Sequence, residues 1–219
     1  SVIQSSSATT VMVVSFVSAG LISLNQSIGI ILGANIGTTV TGWIVALIGF
    51  NLKISSLALP AIGIGFFLRF LNKKKVRYWG EVLLGFGMLF LGLAIMSDAV
   101  RDLRNSEMVM NFMARYSADS FFSTVLVVMV GTAVTMVVQS SSATMAMTMT
   151  LAFNGLIDFT TSCALILGEN IGTTVTANIA SIGSPADAKR AARVHMMFNV
   201  FGVIWVLAVF KPYFIPLVD

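Results

Sequence analysis

The sequence QSSSAT at Gln139–Thr144 repeats a stretch near the start of the chain, Gln4–Thr9. A second shared stretch, G-x-NIGTTVT, follows each copy, at Gly33–Thr41 and at Gly168–Thr176. Both pairs are separated by 135 residues, and aligning 4–41 on the second copy without gaps gives 21 identities in 38 positions. Two polar blocks that keep the same register indicate a duplicated unit.

The composition is that of an integral membrane protein. Of the 219 residues, 57% are apolar and 10% are charged, and the mean hydropathy is +0.92. An ordinary soluble domain carries about 25% charged residues. Several apolar segments approach or exceed the roughly 20 residues that a helix needs to cross a bilayer. The predicted spans are 27–50, 55–71, 79–97, 161–183 and 194–211.

Each QSSS block is predicted to be the tip of a re-entrant helical hairpin. The arm from Ala8 to Ile22 has 15 residues, which as a helix measure about 22 Å, less than the roughly 30 Å hydrocarbon core. Polar residues follow at Asn25–Ser27 and at Asp158–Thr160. Since unpaired backbone is costly in lipid, the segments are expected to be helical and broken only inside protein or a cavity. The apolar runs do not alternate with period two, which argues against a transmembrane β-barrel.

Counting crossings predicts two inverted repeats. If the first hairpin opens to one face, the three spans that follow it bring the chain to the opposite face, where the second hairpin begins. The predicted units are repeat 1 over 1–97, an interfacial connector over 98–118 and repeat 2 over 119–219. Only three residues precede Gln4, whereas an apolar arm precedes Gln139. The first arm of the first hairpin is therefore expected to lie outside this sequence.

Basic clusters give the expected orientation. Lys73–Arg77 and Lys189–Arg193 are read as loops on one face, which carries eight Lys and Arg against five on the other. The positive-inside rule makes that face cytoplasmic in a multi-pass protein of the cell membrane. Because the clusters flank membrane helices, the expected partner is the lipid bilayer and not a nucleic acid.

The repeated motifs supply neutral oxygens and hydrogen-bond donors at the predicted midplane. Hydroxyl and amide oxygens suit a hard cation such as Na⁺. Helix N-termini after each break suit an anion. Gly33, Gly37, Gly168 and Gly172 are expected to let the motif helices unwind and free further carbonyl oxygens, giving one broken transmembrane helix per repeat. Small polar residues also line ordinary membrane-helix contacts, but two motifs coupled twice at one spacing favour a binding site.

Two ionisable residues depart from the symmetry. Glu169 stands where the first repeat has Ala34. An acid at membrane depth is costly, so it is a candidate to bind a cation, to carry a proton or to cap the half-helix that follows. His195 is the single histidine and is expected at the start of a helix, in an interfacial hydrogen bond.

The paired QSSSAT and G-x-NIGTT motifs resemble the type II sodium-dependent phosphate cotransporter family. The stretch Gly85–Leu93 and the segment His195-x-x-Phe198-Asn199 resemble its bacterial members, although the first repeat has no such histidine segment. The resemblance implies Na⁺-coupled uptake of inorganic phosphate by alternating access, with no organic cofactor. A homodimer is the assembly expected by analogy with transporters that pair a rigid with a moving domain.

The resemblance also implies the ligands. Phosphate is expected to contact Gln4, Ser5, Ser6, Ser7, Asn35, Thr38, Gln139, Ser140, Ser141, Ser142, Asn170 and Thr173. Na⁺ is expected to contact Gln4, Ser5, Thr38, Thr39, Gln139, Ser140, Thr173 and Thr174, with Glu169 as a further candidate.

Other functions remain open on the residues alone. An enzyme is not expected, because a serine nucleophile needs a base and one histidine cannot serve two copies. An anion channel is an alternative, as is a Na⁺-coupled carrier of sulfate or a carboxylate. Phosphate rests on the family resemblance and not on the chemistry of helix termini.

Overall fold

The computed structural model describes residues 1–49, 55–115, 117–209, 213 and 215–218. Over these residues the chain is helical and contains no strand, which confirms the all-α class. The helices are α1 (Ser6–Ser18), α2 (Leu24–Ile44), α3 (Ser55–Leu68), α4 (Lys74–Arg104), α5 (Glu107–Arg115), α6 (Phe121–Val138), α7 (Ser141–Phe153), α8 (Phe159–Ala180), α9 (Ala186–Val209) and α10 (Ile215–Val218), with a π-helical segment, Val45–Gly49, after α2.

The duplicated sequence folds into the same structure twice. Helices α1 and α7 each have 13 residues and are followed by a turn with a left-handed glycine, Gly20 at φ 70° and Gly155 at φ 71°. The next helices, α2 and α8, are also equivalent. Between the units, α1 contacts α8 and α2 contacts α7. The first helix of each unit therefore packs on the second helix of the other. How the two units face a membrane stays a prediction, as does the re-entrant course of each hairpin.

The candidate membrane spans differ from those predicted. Among the described residues four helices are long and apolar enough to cross a membrane: Leu24–Leu47, α4, α6 and α9. Helix α6, the predicted hairpin arm, is one of them. The predicted span 55–71 yields only the 14 residues of α3, about 21 Å long. Helix α8 falls outside this group, since its polar motif interrupts its apolar character. The ends of the predicted spans 27–50 and 194–211 lie outside the described residues.

Helices begin and end differently from the predicted boundaries near charged residues. Lys189–Arg193 lies on α9 and not in a loop, and the Asp187 carboxylate accepts a hydrogen bond from Arg190 at 2.8 Å in its first turns. Lys74–Arg77 likewise forms the first turn of α4. Helix α4 continues to Arg104, into the predicted connector. His195 lies in the interior of α9 and does not begin a helix.

The predicted unwinding at the motif glycines is wrong. Helices α2 and α8 run without interruption through Gly33, Gly37, Gly168 and Gly172. The second pair serves close packing instead. A Cβ at Gly168 would overlap the Val128 carbonyl oxygen of α6, and one at Gly172 would lie 2.6 Å from the carbonyl oxygen of Thr132. The backbones of α6 and α8 therefore touch, and the Thr132 hydroxyl donates to the Gly168 carbonyl at 3.0 Å.

Three buried clusters hold the helices together. The first joins α1, α2, α8 and α9 around Val14, Ile31 and Ala192. The second joins the π-helical segment to α3 and α4 around Phe90, and the third joins α6, α8 and α9 around Val128. Helix α9 thus packs on both repeated units, which fixes the two motif helices relative to each other.

Candidate ion and anion site

The second QSSS block forms the tight connection between α6 and α7. Gln139 ends α6 in the left-handed conformation, at φ 59°. Ser140 returns to extended backbone and its hydroxyl accepts from the Ala143 N–H at 3.3 Å, which caps α7. The first block repeats this geometry, with Gln4 at φ 53° and the Ser5 hydroxyl accepting from the Ala8 N–H at 3.2 Å. Each tip is therefore a helix start held by its own serine.

The tip glutamines connect the starts of α1 and α7 to the motif helices α2 and α8. The Thr176 hydroxyl donates to Gln139 Oε1 at 2.8 Å, and Gln139 Nε2 donates to the Met136 carbonyl at 2.5 Å. In the first copy Thr41 donates to Gln4 in the same way. Sequence reasoning did not assign a role to Thr41 or Thr176. The sequence did contain a signal for this contact, because Gln4 and Thr41 have the same spacing of 37 residues as Gln139 and Thr176. With oxygen and nitrogen both bonded, the glutamines position the tips.

The serines after each tip remain available to a ligand. The hydroxyls of Ser6, Ser7, Ser141 and Ser142 make no hydrogen bond within the described chain, while Ser5 and Ser140 cap their helices. The first-turn N–H groups of α1 and α7 point out of the helix start, where the helix dipole has its positive end. Donor hydroxyls and free N–H groups at a helix start suit an oxyanion.

The motif threonines have a different chemistry. Thr38 donates its hydroxyl proton to the Ala34 carbonyl at 3.1 Å, and Thr173 donates to the Glu169 carbonyl at 2.8 Å. Thr39 and Thr174 donate to carbonyls three residues earlier, at 2.7 and 2.8 Å. With the proton engaged, each oxygen presents lone pairs and no donor. The four hydroxyls therefore suit a cation better than phosphate.

The two motif asparagines are placed differently. His195 Nε2 lies 3.1 Å from Asn35 Oδ1, and Asn35 Nδ2 donates to Asn199 Oδ1 at 3.2 Å. Asn199 Nδ2 donates in turn to the His195 carbonyl at 2.9 Å, closing a ring of contacts between α2 and α9. Asn170, the equivalent of Asn35, is exposed and makes no hydrogen bond within the described chain. His195 is thus hydrogen-bonded inside the protein, with 0% of its surface exposed, and its interfacial position stays a prediction. Sequence reasoning named Asn199 only in the histidine segment and assigned it no contact.

A cavity of about 260 Å³ gathers part of the first copy. Gln4, Ser5, Ser6 and Thr38 line it together with Gly33 and Gly37. Ser7, Asn35 and Thr39 do not line it, and its lining contains no residue of the second copy. This cavity therefore contains the first tip and not the second. No group of three or more His, Cys, Asp or Glu that could hold a metal ion occurs in the described part of the chain.

Glu169 is buried in the interior of α8, with 4% of its surface exposed. Its Oε1 accepts from the Thr148 hydroxyl of α7 at 2.7 Å. Because α8 is continuous there, Glu169 does not cap a half-helix, which was one of its three candidate roles. Glu169 and Thr148 instead line a cavity of about 470 Å³ between α6, α7 and α8.

The chain is similar to known proteins over most of its length. The model of a family described as Na⁺/Pi-cotransporter matches residues 1–98 and 105–213. A Bacillus subtilis relative, "Uncharacterized protein YqeW", is 34% identical over 94% of this chain and 64% of its own length. A Salmonella typhimurium relative, "Putative inorganic phosphate export protein YjbB", is 30% identical over 96% of this chain and 37% of its own length.

A mammalian relative matches a shorter region. "Sodium-dependent phosphate transport protein 2C" of Mus musculus is 41% identical over 37% of this chain and 14% of its own length. The chain thus spans less than two thirds of the length of these relatives. No solved structure matches.

Proposed function

The chain belongs to the Na⁺/Pi-cotransporter family, and from that membership we propose that it carries inorganic phosphate across the cell membrane, coupled to Na⁺. The observation that carries the proposal is the family match along nearly the whole chain, joined to two hairpin tips of equal geometry. The same reading makes the protein a carrier of ions and not an enzyme.

Phosphate is proposed to bind at the two tips. The free hydroxyls and first-turn N–H groups at Ser6, Ser7, Ser141 and Ser142 are donors without partners in the described chain, which is what an oxyanion requires. Ser5 and Ser140 contribute by capping, and Gln4 and Gln139 by positioning. Of the asparagines, exposed Asn170 is the better candidate for direct contact, because Asn35 is already bonded on both sides of its amide.

Na⁺ is proposed to bind beside the anion, at Thr38, Thr39, Thr173 and Thr174. These oxygens keep lone pairs and have no proton to offer, so they attract a cation and not an anion. Gln4, Ser5, Gln139 and Ser140 complete the set that the family resemblance implies. Arriving together, Na⁺ and phosphate partly neutralise each other, which lowers the cost of burying either.

Alternating access is proposed to move the hairpins against the motif helices, as in transporters built from inverted repeats. The basic clusters Lys73–Arg77 and Lys189–Arg193 then lie on the cytoplasmic side. A homodimer is the proposed assembly, on the analogy with other two-domain carriers.

The direction of net transport has a second candidate. The Salmonella typhimurium relative carries a name that refers to phosphate export, whereas the Mus musculus relative is named for sodium-dependent transport. Export of phosphate is therefore the alternative to Na⁺-driven uptake. A Na⁺-coupled carrier of sulfate or a carboxylate and an anion channel are further alternatives.

The test is flux of radiolabelled phosphate in proteoliposomes containing the full-length protein, with a Na⁺ gradient of either direction. We expect phosphate to follow Na⁺, to be trans-stimulated by phosphate on the opposite side, and to be unaffected by excess sulfate. Flux without trans-stimulation would identify a channel. Inhibition of phosphate flux by sulfate would contradict the proposed selectivity for phosphate. Phosphate flux that does not depend on the Na⁺ gradient would contradict the proposed Na⁺ coupling.

A pair of variants tests the cation site. Thr173→Val should raise the Na⁺ concentration for half-maximal flux, because it removes a proposed ligand oxygen without changing shape. Thr150→Val is the matched control, since the buried Thr150 hydroxyl donates to the Ala146 carbonyl at 2.7 Å in the same kind of bond, away from the tips. Equal Na⁺ dependence in both variants would remove Thr173 from the site.

A further inference from the structure

The cavity of about 470 Å³ between α6, α7 and α8 opens to the outside of the protein. Val130 of α6 and Met147 of α7 line it, with 49% and 39% of their surfaces exposed. Both helices pack on α8, which lies behind the cavity. Because α6 is apolar and long enough to cross a membrane, an opening on its flank faces lipid acyl chains and not water.

The lining of the cavity is apolar except for a few side chains of α7 and α8. The Thr148 hydroxyl donates to Glu169 at 2.7 Å. The Thr144 hydroxyl donates to a backbone carbonyl and the Thr161 hydroxyl accepts from a backbone N–H, both at 3.0 Å. A ligand in the cavity therefore meets apolar side chains and polar groups that already have partners. These surroundings suit a hydrocarbon chain, which has no hydrogen bond to offer.

The length of the cavity matches that of a lipid acyl chain. On α6 the lining extends from Leu126 to Val134, and on α8 from Thr161 to Glu169. A rise of eight residues along a helix measures about 12 Å. Two leaflets share a hydrocarbon core of about 30 Å, so one acyl chain reaches about 15 Å from the membrane surface. The cavity can therefore hold most of one acyl chain.

A basic side chain lies on the turn between α7 and α8, at one end of the cavity. Ile157 of this turn lines the cavity, and the Arg104 guanidinium lies 3.6–3.7 Å from the place of a Cβ at Gly155. Arg101, one turn earlier on α4, is paired with Asp98 at 3.6 Å. Arg104 makes no ion pair or hydrogen bond with any other residue that the structure describes, so its charge is available to an anion from outside.

We propose that the cavity binds an anionic phospholipid, with one acyl chain between α6 and α7 and the headgroup phosphate at Arg104. Arg104 is the last residue of α4, a candidate membrane span, and a long basic side chain at such an end extends to the level of the headgroups. Basic groups beside an opening between membrane helices suit anionic headgroups, and a guanidinium can donate two parallel hydrogen bonds to a phosphate. The acyl chain then fills the space beside α7, the helix that begins at the second tip.

The experiment is native mass spectrometry of the full-length protein in detergent, with phosphatidylglycerol or phosphatidylcholine of the same acyl chains. We expect the wild type to retain phosphatidylglycerol in preference to phosphatidylcholine. Arg104→Gln should weaken phosphatidylglycerol binding about tenfold, because the charge-assisted hydrogen bonds to the phosphate are lost. Arg101→Gln is the matched control, since it removes a paired arginine from the same end of α4, and it should bind as the wild type does.

A second pair of variants tests the place of the acyl chain. Val130→Trp fills the cavity and should abolish retention of phosphatidylglycerol, whereas Met129→Trp changes an exposed neighbour on α6 that does not line the cavity and should leave retention unchanged. The arginine pair keeps the test valid if Val130→Trp fails to fold.

Three results would overturn the proposal. They are equal retention of the two lipids by the wild type, equal phosphatidylglycerol binding by Arg104→Gln and Arg101→Gln, and a dimer that Val130→Trp dissociates, which would assign the cavity to a second copy of the chain. The spectra involve neither Na⁺ nor phosphate flux, so failure of this proposal is distinguishable from failure of the proposed function.

Discussion

Asn35 and Asn170 occupy the same position of the repeated motif but make different contacts. The sequence treats them as equals, and both were predicted to bind phosphate. The structure engages Asn35 with His195 and Asn199 of α9 and leaves Asn170 exposed. The repeat alignment could not distinguish them, because the partner of Asn35 lies 160 residues away. Identity between repeats predicts the position of a side chain on its helix, not its neighbours.

Alanine substitutions at the two asparagines should therefore have different effects. Asn35→Ala leaves the His195 Nε2 and the Asn199 Oδ1 without their partner in a buried network, which should lower the free energy of unfolding by about 1–3 kcal/mol. Asn170→Ala removes an exposed side chain and should change stability by less than about 0.5 kcal/mol, while weakening phosphate binding. Thermal unfolding in detergent measures the first effect and phosphate titration the second. Equal destabilisation by both would contradict the assignment.

At the scale of helices, the sequence predicted where chains turn better than what happens inside a helix. The tips at Gln4 and Gln139 lie where the polar blocks placed them, but α1 ends at Ser18, before the predicted Ile22, and the predicted break at Asn25–Ser27 lies inside α2. The continuity of α2 and α8 was not predicted. A glycine within a helix permits either unwinding or a close approach of another backbone, and only the neighbouring helix decides. For Gly168 that neighbour is α6, whose Val128 carbonyl occupies the space of a side chain.

The repeat supplies a matched pair for testing this packing role. Gly168→Ala should destabilise the protein by about 1–3 kcal/mol, because the methyl group forces α6 and α8 apart. Gly33→Ala changes the equivalent glycine of the first repeat, where no atom lies within 4 Å of the added Cβ. It should be neutral or stabilise α2 by up to about 1 kcal/mol. Unfolding temperatures of the two purified variants make the comparison. If both glycines tolerate alanine, the close contact does not limit stability.

At the scale of the whole molecule, the two units are joined by exchange of partners. Helix α1 packs on α8, α2 packs on α7, and α9 contacts both units. The two units nevertheless differ in their buried polar contacts. The Glu169–Thr148 hydrogen bond occurs in the second unit, whereas the Asn35 network joins α2 of the first unit to α9. Whether the units are inverted across a bilayer depends on the number of crossings between them, and neither repeat identity nor helix packing measures that number.

Labelling of introduced cysteines with a membrane-impermeant thiol reagent tests the inversion. The background is Cys163→Ala, which removes the single native cysteine. Leu21→Cys lies in the turn after α1 and Phe159→Cys at the start of α8, and both native side chains are exposed, by 70% and 46%. The three predicted crossings between the units would place these turns on opposite faces, so we expect Leu21→Cys to react from the cytoplasmic side and Phe159→Cys from the other. A hairpin returns to the face it entered whether or not its arms cross fully, so the expectation does not depend on the depth of the tips.

Labelling of both positions from one side would contradict the predicted inversion. It would mean an even number of crossings between the two positions, and therefore parallel repeats. The proposed movement of hairpins from opposite faces would then have to be abandoned.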